Sequence, residues 1–388
     1  MINNNFVKKY LLTNDLSSFD PYDIWKTKIG INTKKLYYKN KYLGLIPAGL
    51  LTMYDLYINN NLRLGYKKQE FPIVRAQAVL SLLNLYKLEP KNNYLEYAKK
   101  HIDWLLNNSS KGHSGYCWGL NFNWQYSKSN MYDKNTPFST HTPYPLEALI
   151  EYYKITKDSN LIEPIKSILL FLEKDLKIME ENNNILIISY GVQKDRIVAN
   201  SNSYVMYMYS LLLEFFPEKK DYIENKIYKI YNFLKSIQNK DGSWLYSPYE
   251  NSTFIDCFHS CFILKNILKS NSILKLNNSS EIVKKGYDFL INNFLDKDYF
   301  LFRRFYKSNK ISLIKFDLYD NAELLNISKL LNDNKTYIKL QEAIEKSFVD
   351  KNNNIASTID LTNNLKNRSH LRWAIMPYLL ASTAQGVK

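Results

Sequence analysis

From about Leu43 onward, apolar side chains recur at positions i, i+3, i+4 and i+7 in one segment after another. This spacing is typical of helices that bury one face. Leu146, Leu149 and Ile150 lie on one such face. The pattern predicts twelve helices, near residues 43–60, 72–88, 92–108, 143–156, 160–178, 200–215, 219–238, 256–270, 280–294, 317–332, 335–349 and 370–385.

The predicted helices form pairs, and the first members of successive pairs begin near residues 74, 143, 200, 256, 318 and 370. A regular recurrence of this kind indicates a repeat architecture. We therefore predict an all-α fold, an (α/α)6 toroid whose inner ring holds the first helix of each pair and whose outer ring holds the second. The segment 43–60 is expected to close the sixth pair.

Longer links separate the pairs, and some contain β-like runs such as Ile185–Tyr190 and Tyr299–Phe302. We expect these links to gather over one mouth of the toroid as short β-hairpins. No Gly/Ser-rich or Pro-rich linker interrupts residues 43–388, so this range is predicted to be a single toroid domain. Residues 1–42 lack clear periodicity and are predicted to form an N-terminal arm.

Composition narrows the function classes. The 45 % hydrophobic content is enough for a globular core. Lys and Arg number 52 against 37 Asp and Glu, for a net charge of +15, with lysine scattered along the chain. Nucleic-acid readers cluster their charge and use more arginine, so no nucleic-acid partner is expected. The positive field favours acidic polymers, phosphate-bearing substrates or peripheral association with an anionic membrane.

Cysteine usage points to a reducing compartment. Cys257 and Cys261 are four residues apart on one predicted helix, and with Cys117 they make an odd number. No apolar run is long enough for a signal peptide or a membrane-spanning helix. We therefore expect a cytoplasmic protein, soluble or peripheral. Phosphate-binding loops and the common zinc motifs are missing, so no cofactor and no metal are expected.

Polar and aromatic residues mark the starts of the inner helices, where a toroid would bring them together. Side chains able to act as acid or base make up the catalytic candidates: His141, His259, Tyr204, Tyr319 and Asp256. Substrate-binding candidates at the same positions are Asn202, Asp320 and Arg372. Thr142, Asn200 and Asp317 are interpreted as N-caps, which satisfy free backbone N–H groups.

Two links carry exposed-looking aromatic residues. Trp118, Trp124 and Gln125 lie in one of them and Trp244 in another. Flat aromatic faces next to amides suit sugar rings, which stack through their C–H faces. We expect these four residues to bind a saccharide; the alternative is that they pack against the rim of the toroid.

Two stretches, Gln238–Trp244 and Asp256–Phe262, resemble the α/α-toroid superfamily of terpene cyclases and protein prenyltransferase β subunits. That resemblance would make His259 a zinc ligand. The Asp-x-Cys pair that completes the zinc site in the family is replaced here by Asn200–Tyr204. Zinc and prenyl transfer are therefore not expected.

A wider set of motifs resembles bacterial α/α-toroid proteins encoded with capsule and O-antigen genes, which are similar in fold to uronyl C5-epimerases and toroid polysaccharide lyases. The matching residues are Asp20–Asp23, Cys117–Gly119, Phe122, Trp124–Gln125, His141–Pro143, Asp256, His259 and Arg372–Trp373. The resemblance implies a role in the biosynthesis or modification of a bacterial surface polysaccharide.

The predicted reaction is removal of the C5 proton of an acidic sugar, by an epimerase or a lyase. His141 or His259 would be the base, Tyr204 or Tyr319 would act on the opposite face, and Arg372 with Asn202 would hold the carboxylate. Glycoside hydrolysis by Asp256, Asp320 and Glu323 is a competing prediction. The non-enzymatic alternative is a carbohydrate-binding scaffold of a polysaccharide assembly complex.

Overall fold

The computed structural model describes residues 3–193, 196–251, 253–307 and 312–384. In these residues the α-helices α1 to α15 are Asn4–Tyr10, Asp23–Lys26, Lys28–Lys39, Lys41–Met53, Pro72–Leu88, Asn92–Asn107, Pro143–Thr156, Ile162–Leu170, Ala199–Leu212, Lys220–Ser236, Cys257–Ile273, Ser279–Phe294, Leu318–Leu330, Asn334–Phe348 and Met376–Thr383.

Six helices form the inner ring: α5, α7, α9, α11, α13 and α15. Each packs against the next in chain order, and α15 packs against α5, so the ring is closed. The helices α6, α8, α10, α12 and α14 each pack against the preceding inner helix. Each inner helix touches two ring neighbours, five of the six also pack on the outer helix that follows them, and α9 is buried along its whole length. The predicted all-α toroid is confirmed, with six inner helices and five paired outer helices in the described ranges.

Predicted and observed helix bounds agree within a few residues around the ring, and α5 and α7 match at both ends. Two predicted helices contain a π-helical turn, over Tyr54–Ile58 after α4 and over Phe171–Asp175 after α8. The predicted helix 370–385 is kinked before α15, because the backbone angles of Trp373 and Ala374 are not helical. The kinked segment contributes Arg372 to the cavity described below.

The strands are short and lie in the links. Strands β1 to β11 are Trp124–Gln125, Met131–Tyr132, Ile178–Glu181, Leu186–Ile188, Ile255–Asp256, Leu295–Asp296, Leu301–Phe302, Phe305–Lys307, Ile314–Asp317, Ala356–Asp360 and Leu365–Arg368. Antiparallel hairpins pair β1 with β2, β3 with β4, β6 with β7 and β10 with β11. In addition β5 pairs with β8, and β9 joins β10. The β-like runs expected in two links are β4 and β7.

The N-terminal region is more structured than its sequence indicated. Helix α1 buries Phe6, Val7 and Tyr10 in the main core. The arm then crosses to the start of α5, where the backbones of Ser18 and Gln69 are hydrogen-bonded. The predicted boundary at residue 42 falls in the first turn of α4.

The segment 43–60 does not close the sixth pair, so this expectation was wrong. Helix α4 packs on α3 as a helical hairpin, and its outward side chains are exposed. The periodicity of α4 identified a helix, but one apolar stripe cannot say which neighbour covers it. No helix in the described ranges is both long and apolar enough to cross a membrane.

Candidate active site

The first turns of the inner helices surround a cavity of about 120 Å³. Every inner-ring position contributes to its wall. The lining residues are Ile73, Thr140, His141, Tyr144, Tyr190, Asn200, Tyr204, Tyr246, Phe258, His259, Phe262, Tyr319, Arg372 and Trp373. Five of the residues predicted from sequence, namely His141, His259, Tyr204, Tyr319 and Arg372, therefore meet in one place. The ring topology brings them together from five different repeats.

His259 is oriented by Asp256. Its Nδ1 lies 2.7 and 2.9 Å from the two carboxylate oxygens of Asp256. A carboxylate can only accept, so Nδ1 carries the proton and Nε2 is the basic ring nitrogen. The His259 side chain is 20 % exposed, whereas Asp256 is 1 % exposed. Asp256 thus lies behind His259 and fixes its tautomer, which is a positioning role.

His141 has a different environment. Burial, with a smaller contribution from the Arg372 guanidinium, lowers its pKa to about 3. Its Nδ1 lies 3.2 Å from the Thr140 hydroxyl. The ring is therefore neutral at physiological pH and can donate one N–H to a substrate oxygen. A neutral imidazole of this kind stabilises developing negative charge better than it accepts a proton.

Two tyrosine hydroxyls form the floor of the cavity. The hydroxyls of Tyr144 and Tyr204 are 2.5 Å apart and share a hydrogen bond. The same two residues also line a second cavity of about 200 Å³, among the later turns of the inner helices. Burial raises the pKa of both hydroxyls well above the usual value. The pair stays protonated and separates the two cavities.

The opposite wall contains Tyr319, Trp373 and Arg372. The rings of Tyr319 and Trp373 are stacked, with centroids 5.0 Å apart. The Nε of Arg372 donates to Asp20 of the arm, and the Arg372 Nη2 has no hydrogen-bond partner among the described residues. Arg372 and Lys26 hold the pKa of the buried Asp20 carboxyl well below its usual range. The arm thus fixes Arg372 while leaving one N–H donor group available.

Asn200 is a site residue that sequence reasoning assigned wrongly. It does not cap α9, whose N-cap is Val198. Asn200 is 3 % exposed, and its Oδ1 has no partner in the described part of the chain. An unpaired buried amide oxygen at a cavity is available to accept from a ligand. Thr142 is not a side-chain cap either, since its hydroxyl bonds to the Trp118 backbone. Asp317 does cap α13, by accepting from the N–H of Tyr319.

Trp118 and Trp244, predicted to bind a saccharide on exposed links, do not line the cavity. Both are buried, and their indole N–H groups donate to the carbonyls of Leu105 and Leu234, near the ends of α6 and α10. Trp244 also fills the space beside Gly286, where an added Cβ would lie 2.7 Å from the indole. The same contact in two repeats shows that these tryptophans join outer helices to the links that follow them.

Trp124 and Gln125 lie outside the cavity wall. Trp124 makes an edge contact with Tyr22, and the Lys34 ammonium lies 3.3 Å from its ring centroid. Gln125 is 1 % exposed, and its Nε2 donates to the carbonyl of Ser127. Trp124 thus attaches the arm and α3 to the first link, Gln125 bonds within that link, and neither residue lines the cavity to which their predicted role would assign them.

Asn202 and Asp320 are also structural. Asn202 accepts from the N–H of Ile188 and donates to the carbonyls of Ile188 and Val198. Asn321 makes the same three bonds in another repeat, to Phe302 and Asp317. Asp320 accepts from the Phe258 N–H, and burial raises its pKa well above the usual value.

The carboxylates proposed for hydrolysis do not face the cavity. None of the described residues that line it is Asp or Glu. The Asp256 carboxylate bonds to His259, and the Asp320 carboxylate accepts from the Phe258 N–H. The Glu323 carboxylate lies 2.5 Å from the Lys265 ammonium. In the described ranges, no cluster of three His, Cys, Asp or Glu side chains could hold a metal ion. Cys257 and Cys261 are free, buried thiols.

Comparison with known proteins places the fold. No family model and no curated protein sequence matches the chain. Several solved structures do match the chain. A sugar epimerase from a ruminal bacterium superposes with a TM-score of 0.63 at 12 % identity, over 84 % of this chain and 91 % of that one.

Two further solved structures extend the comparison. A GH76 α-mannanase from Bacteroides thetaiotaomicron gives a TM-score of 0.60 at 13 % identity, over 94 % of this chain and 98 % of the mannanase. A polysaccharide lyase gives 0.54 at 11 % identity, over 92 % and 97 %. The chain shares the α/α-toroid fold of these carbohydrate enzymes. At such low identity the likeness shows the fold alone.

Proposed function

We propose that this protein is a carbohydrate-active enzyme that removes a proton from the carbon next to a sugar carboxylate, as an epimerase or a lyase. The observation that carries the proposal is the presence of two histidines, His259 bonded to Asp256 and His141 bonded to no carboxylate among the described residues, at one cavity whose described lining holds no carboxylate. The cavity is smaller than the roughly 300–1,000 Å³ of pockets for drug-sized ligands. It therefore suits a single sugar unit.

His259 is the base of the proposed reaction. Asp256 holds the Nδ1 proton and stabilises the imidazolium that forms when Nε2 takes the proton from carbon. Delivery of a different proton to the same carbon from the opposite face, from a tyrosine hydroxyl such as that of Tyr319, gives the epimer. Proton exchange with solvent then returns the imidazolium of His259 and the phenolate of Tyr319 to their starting states. If the substituent on the neighbouring carbon leaves instead, the product is unsaturated. Burial raises the pKa of Tyr319, so its hydroxyl carries its proton when the substrate binds.

Arg372, His141 and Asn200 bind the substrate in this proposal. The free Nη2 of Arg372 and the neutral ring of His141 donate to the oxygens on which negative charge develops. Asn200 Oδ1 accepts from a sugar hydroxyl. Asp20 offsets the positive charge of Arg372. A substrate carboxylate is therefore bound by N–H groups that point at it rather than by a net positive charge. Asn202 is excluded from this role because all of its polar atoms bond to backbone.

The biological setting belongs to the same proposal. We assign the enzyme to biosynthesis or modification of a bacterial surface polysaccharide, such as a capsule, in the cytoplasm. The motif residues His141, His259, Arg372 and Trp373, which carried the resemblance to capsule-associated toroids, all line the cavity. A non-catalytic scaffold fits less well, because three of the four residues expected to bind sugar without chemistry, Trp118, Trp244 and Gln125, are buried.

The test is proton exchange in deuterated water. The protein is incubated with uronic-acid oligosaccharides, uronate-bearing nucleotide sugars and neutral disaccharides, and deuterium at each carbon is followed by proton NMR. We expect incorporation next to the carboxylate in an acidic substrate. Replacing a general base costs about 10²–10⁴ in rate, so His259→Asn should abolish measurable exchange.

His113→Asn is the matched control. His113 also lies near an aspartate, Asp175, at 3.7 Å, but it belongs to a link and does not line the cavity. This variant should exchange at the wild-type rate. Full exchange in His259→Asn would contradict the proposed base. Cleavage of glycosidic bonds to hydrated sugars without exchange would show a hydrolase, and exchange confined to the neutral disaccharides would contradict the acidic substrate.

A further inference from the structure

The α3–α4 hairpin presents an apolar surface that nothing else in the described chain covers. Tyr42 is 85 % exposed and Ile46 is 70 % exposed, and Leu43 and Leu50 are each 64 % exposed. No charged residue occurs between Tyr42 and Tyr54. Monomeric soluble proteins rarely expose contiguous apolar patches of this kind, and larger ones mark interaction sites.

The hairpin is held as a rigid unit. Gly44 of α4 crosses α3 so closely that an added Cβ would lie 2.2 Å from the Cα of Tyr37. The side chain of Asn40 accepts from the N–H groups of Tyr42 and Leu43 and so caps α4. The apolar side chains of α4 are therefore displayed on an ordered helix.

Positive charge surrounds the apolar surface. Residues 27–68 contain eight Lys or Arg and a single acidic residue, Asp55, whose carboxylate accepts from the hydroxyl of Tyr66. Six of the lysines are exposed: Lys28, Lys35, Lys39, Lys41, Lys67 and Lys68. Nearly half of the net charge of +15 thus lies in this short region. The lysine excess is less evenly scattered than the sequence analysis indicated.

The hairpin lies on the mouth side of the toroid. Lys34 of α3 covers the ring of Trp124, and Trp124 makes an edge contact with Tyr22. Tyr22 in turn makes an edge contact with Trp373 of the cavity wall. Any surface to which α4 binds would therefore lie beside the cavity.

We propose that the α3–α4 hairpin binds the surface of a bilayer that contains anionic lipids, with α4 lying at the boundary between headgroups and acyl chains. Thirteen helical residues span about 20 Å, too short to cross a hydrocarbon core of about 30 Å. An apolar helix face among lysines is the pattern of a helix in the membrane interface. A second copy of this chain fits less well, because a two-fold dimer would bring the two lysine clusters together.

The experiment is flotation of the full-length protein with two kinds of vesicle. One contains phosphatidylcholine alone, and the other contains phosphatidylcholine with about 30 % of the anionic lipid phosphatidylglycerol. We expect binding to the anionic vesicles that exceeds binding to the neutral ones by at least about tenfold, and that weakens as salt is added. Ile46→Glu and the double change Lys39→Glu with Lys41→Glu should each reduce the partition coefficient by at least about tenfold.

Matched controls come from α14, on the outer ring. Ile338 is 54 % exposed, and Lys335 and Lys339 are exposed on the same helix. Ile338→Glu, and Lys335→Glu with Lys339→Glu, should float like the wild type. Equal losses in both sets would mean that net charge alone drives binding and would overturn the proposal. So would a dimer in sedimentation equilibrium that Ile46→Glu dissociates, in a protein that does not float. Unchanged proton exchange in Ile46→Glu would show that membrane binding and the proposed activity are separate properties.

Discussion

Trp244 lies in a link, and His259 lies in the first turn of the next inner helix. The indole donates to a backbone carbonyl and fills a space beside Gly286. The imidazole has one nitrogen bonded to a buried carboxylate, and its side chain remains partly exposed at the cavity. Both are aromatic residues near the mouth. Their positions within the repeat, rather than their residue types, decide that Trp244 supports the helical toroid and that His259 faces the cavity.

The largest effect that separates the two regions should come from Asp256. Asp256→Asn would let His259 adopt the wrong tautomer, and in a comparable histidine–aspartate arrangement this lowers the rate by about 10⁴. We expect a loss of about 10²–10⁴ in the proton-exchange rate, with a circular dichroism spectrum like that of the wild type. Asp175→Asn, at the other histidine–aspartate pair, should leave the rate unchanged. Equal losses of exchange rate in Asp256→Asn and Asp175→Asn would contradict a specific role for Asp256 at the cavity.

Removal of a link tryptophan should instead act on stability. Trp244→Ala and Trp118→Ala each delete a large buried ring, which typically costs about 3–5 kcal/mol of the free energy of unfolding. Urea denaturation measures this directly. Trp25→Ala, at a partly exposed tryptophan of the arm, should cost less. A Trp244→Ala protein with unchanged stability but lost saccharide binding would restore the original prediction for this residue.

Asn200 and Asn202 provide a finer comparison on one helix. Asn202→Ala would leave the N–H and C=O of Ile188 without their partner, and each unsatisfied buried group costs about 1–3 kcal/mol. Asn200→Ala removes an unpaired oxygen, so we expect a stability change below about 0.5 kcal/mol and weaker substrate binding. Denaturation and binding measured on both variants check this. A loss of stability in Asn200→Ala and a loss of binding in Asn202→Ala would contradict the roles assigned to these two residues.

The last prediction concerns acid stability. His101 and His370 are both fully buried, and burial lowers the pKa of His101 to about 3 and that of His370 well below its usual value. Below about pH 6.5 the unfolded chain binds protons that the folded chain does not. Stability is therefore complete above that pH and falls as the pH drops, by at most about 1.4 kcal/mol per pH unit for each histidine.

His370→Leu tests this pH dependence. Neither ring nitrogen of His370 has a partner among the described residues, so an apolar replacement should be nearly neutral at pH 7. The slope of unfolding free energy against pH between 5 and 6.5 should decrease. An unchanged slope would show that His370 binds protons equally in the folded and unfolded protein, which contradicts a lowered pKa.

The helices were predictable because burial imposes a period. Each outer helix buries one stripe, as Ile223, Ile227 and Ile230 of α10 do. The convergence of His141 and His259 followed from the repeat, because every inner helix begins at the same mouth. Asn200 was missed, since an asparagine at a helix start is ordinarily a cap. Only the three-dimensional contacts show that its oxygen lacks a partner.

The arm could not be placed from sequence for a related reason. Asp20 and Arg372 are far apart in the chain, and no periodic pattern connects them. The apolar face of α4 was recognised, but the identity of its neighbour depends on contacts that a single stripe does not encode. Asp256 was predicted as a catalytic residue, and the geometry gives it a positioning role, because it reaches the cavity through His259.

The bond between Asp20 and Arg372 also bears on how the protein is made. A ribosome synthesises Asp20 352 residues before it reaches Arg372. Until then, Asp20 has no partner from the last inner helix, and the cavity lacks one wall. The nascent chain can form its early helix pairs during synthesis, but it cannot present a finished substrate site. Activity would therefore begin with ring closure, and proteins truncated before residue 372 would be inactive even if their earlier repeats were folded.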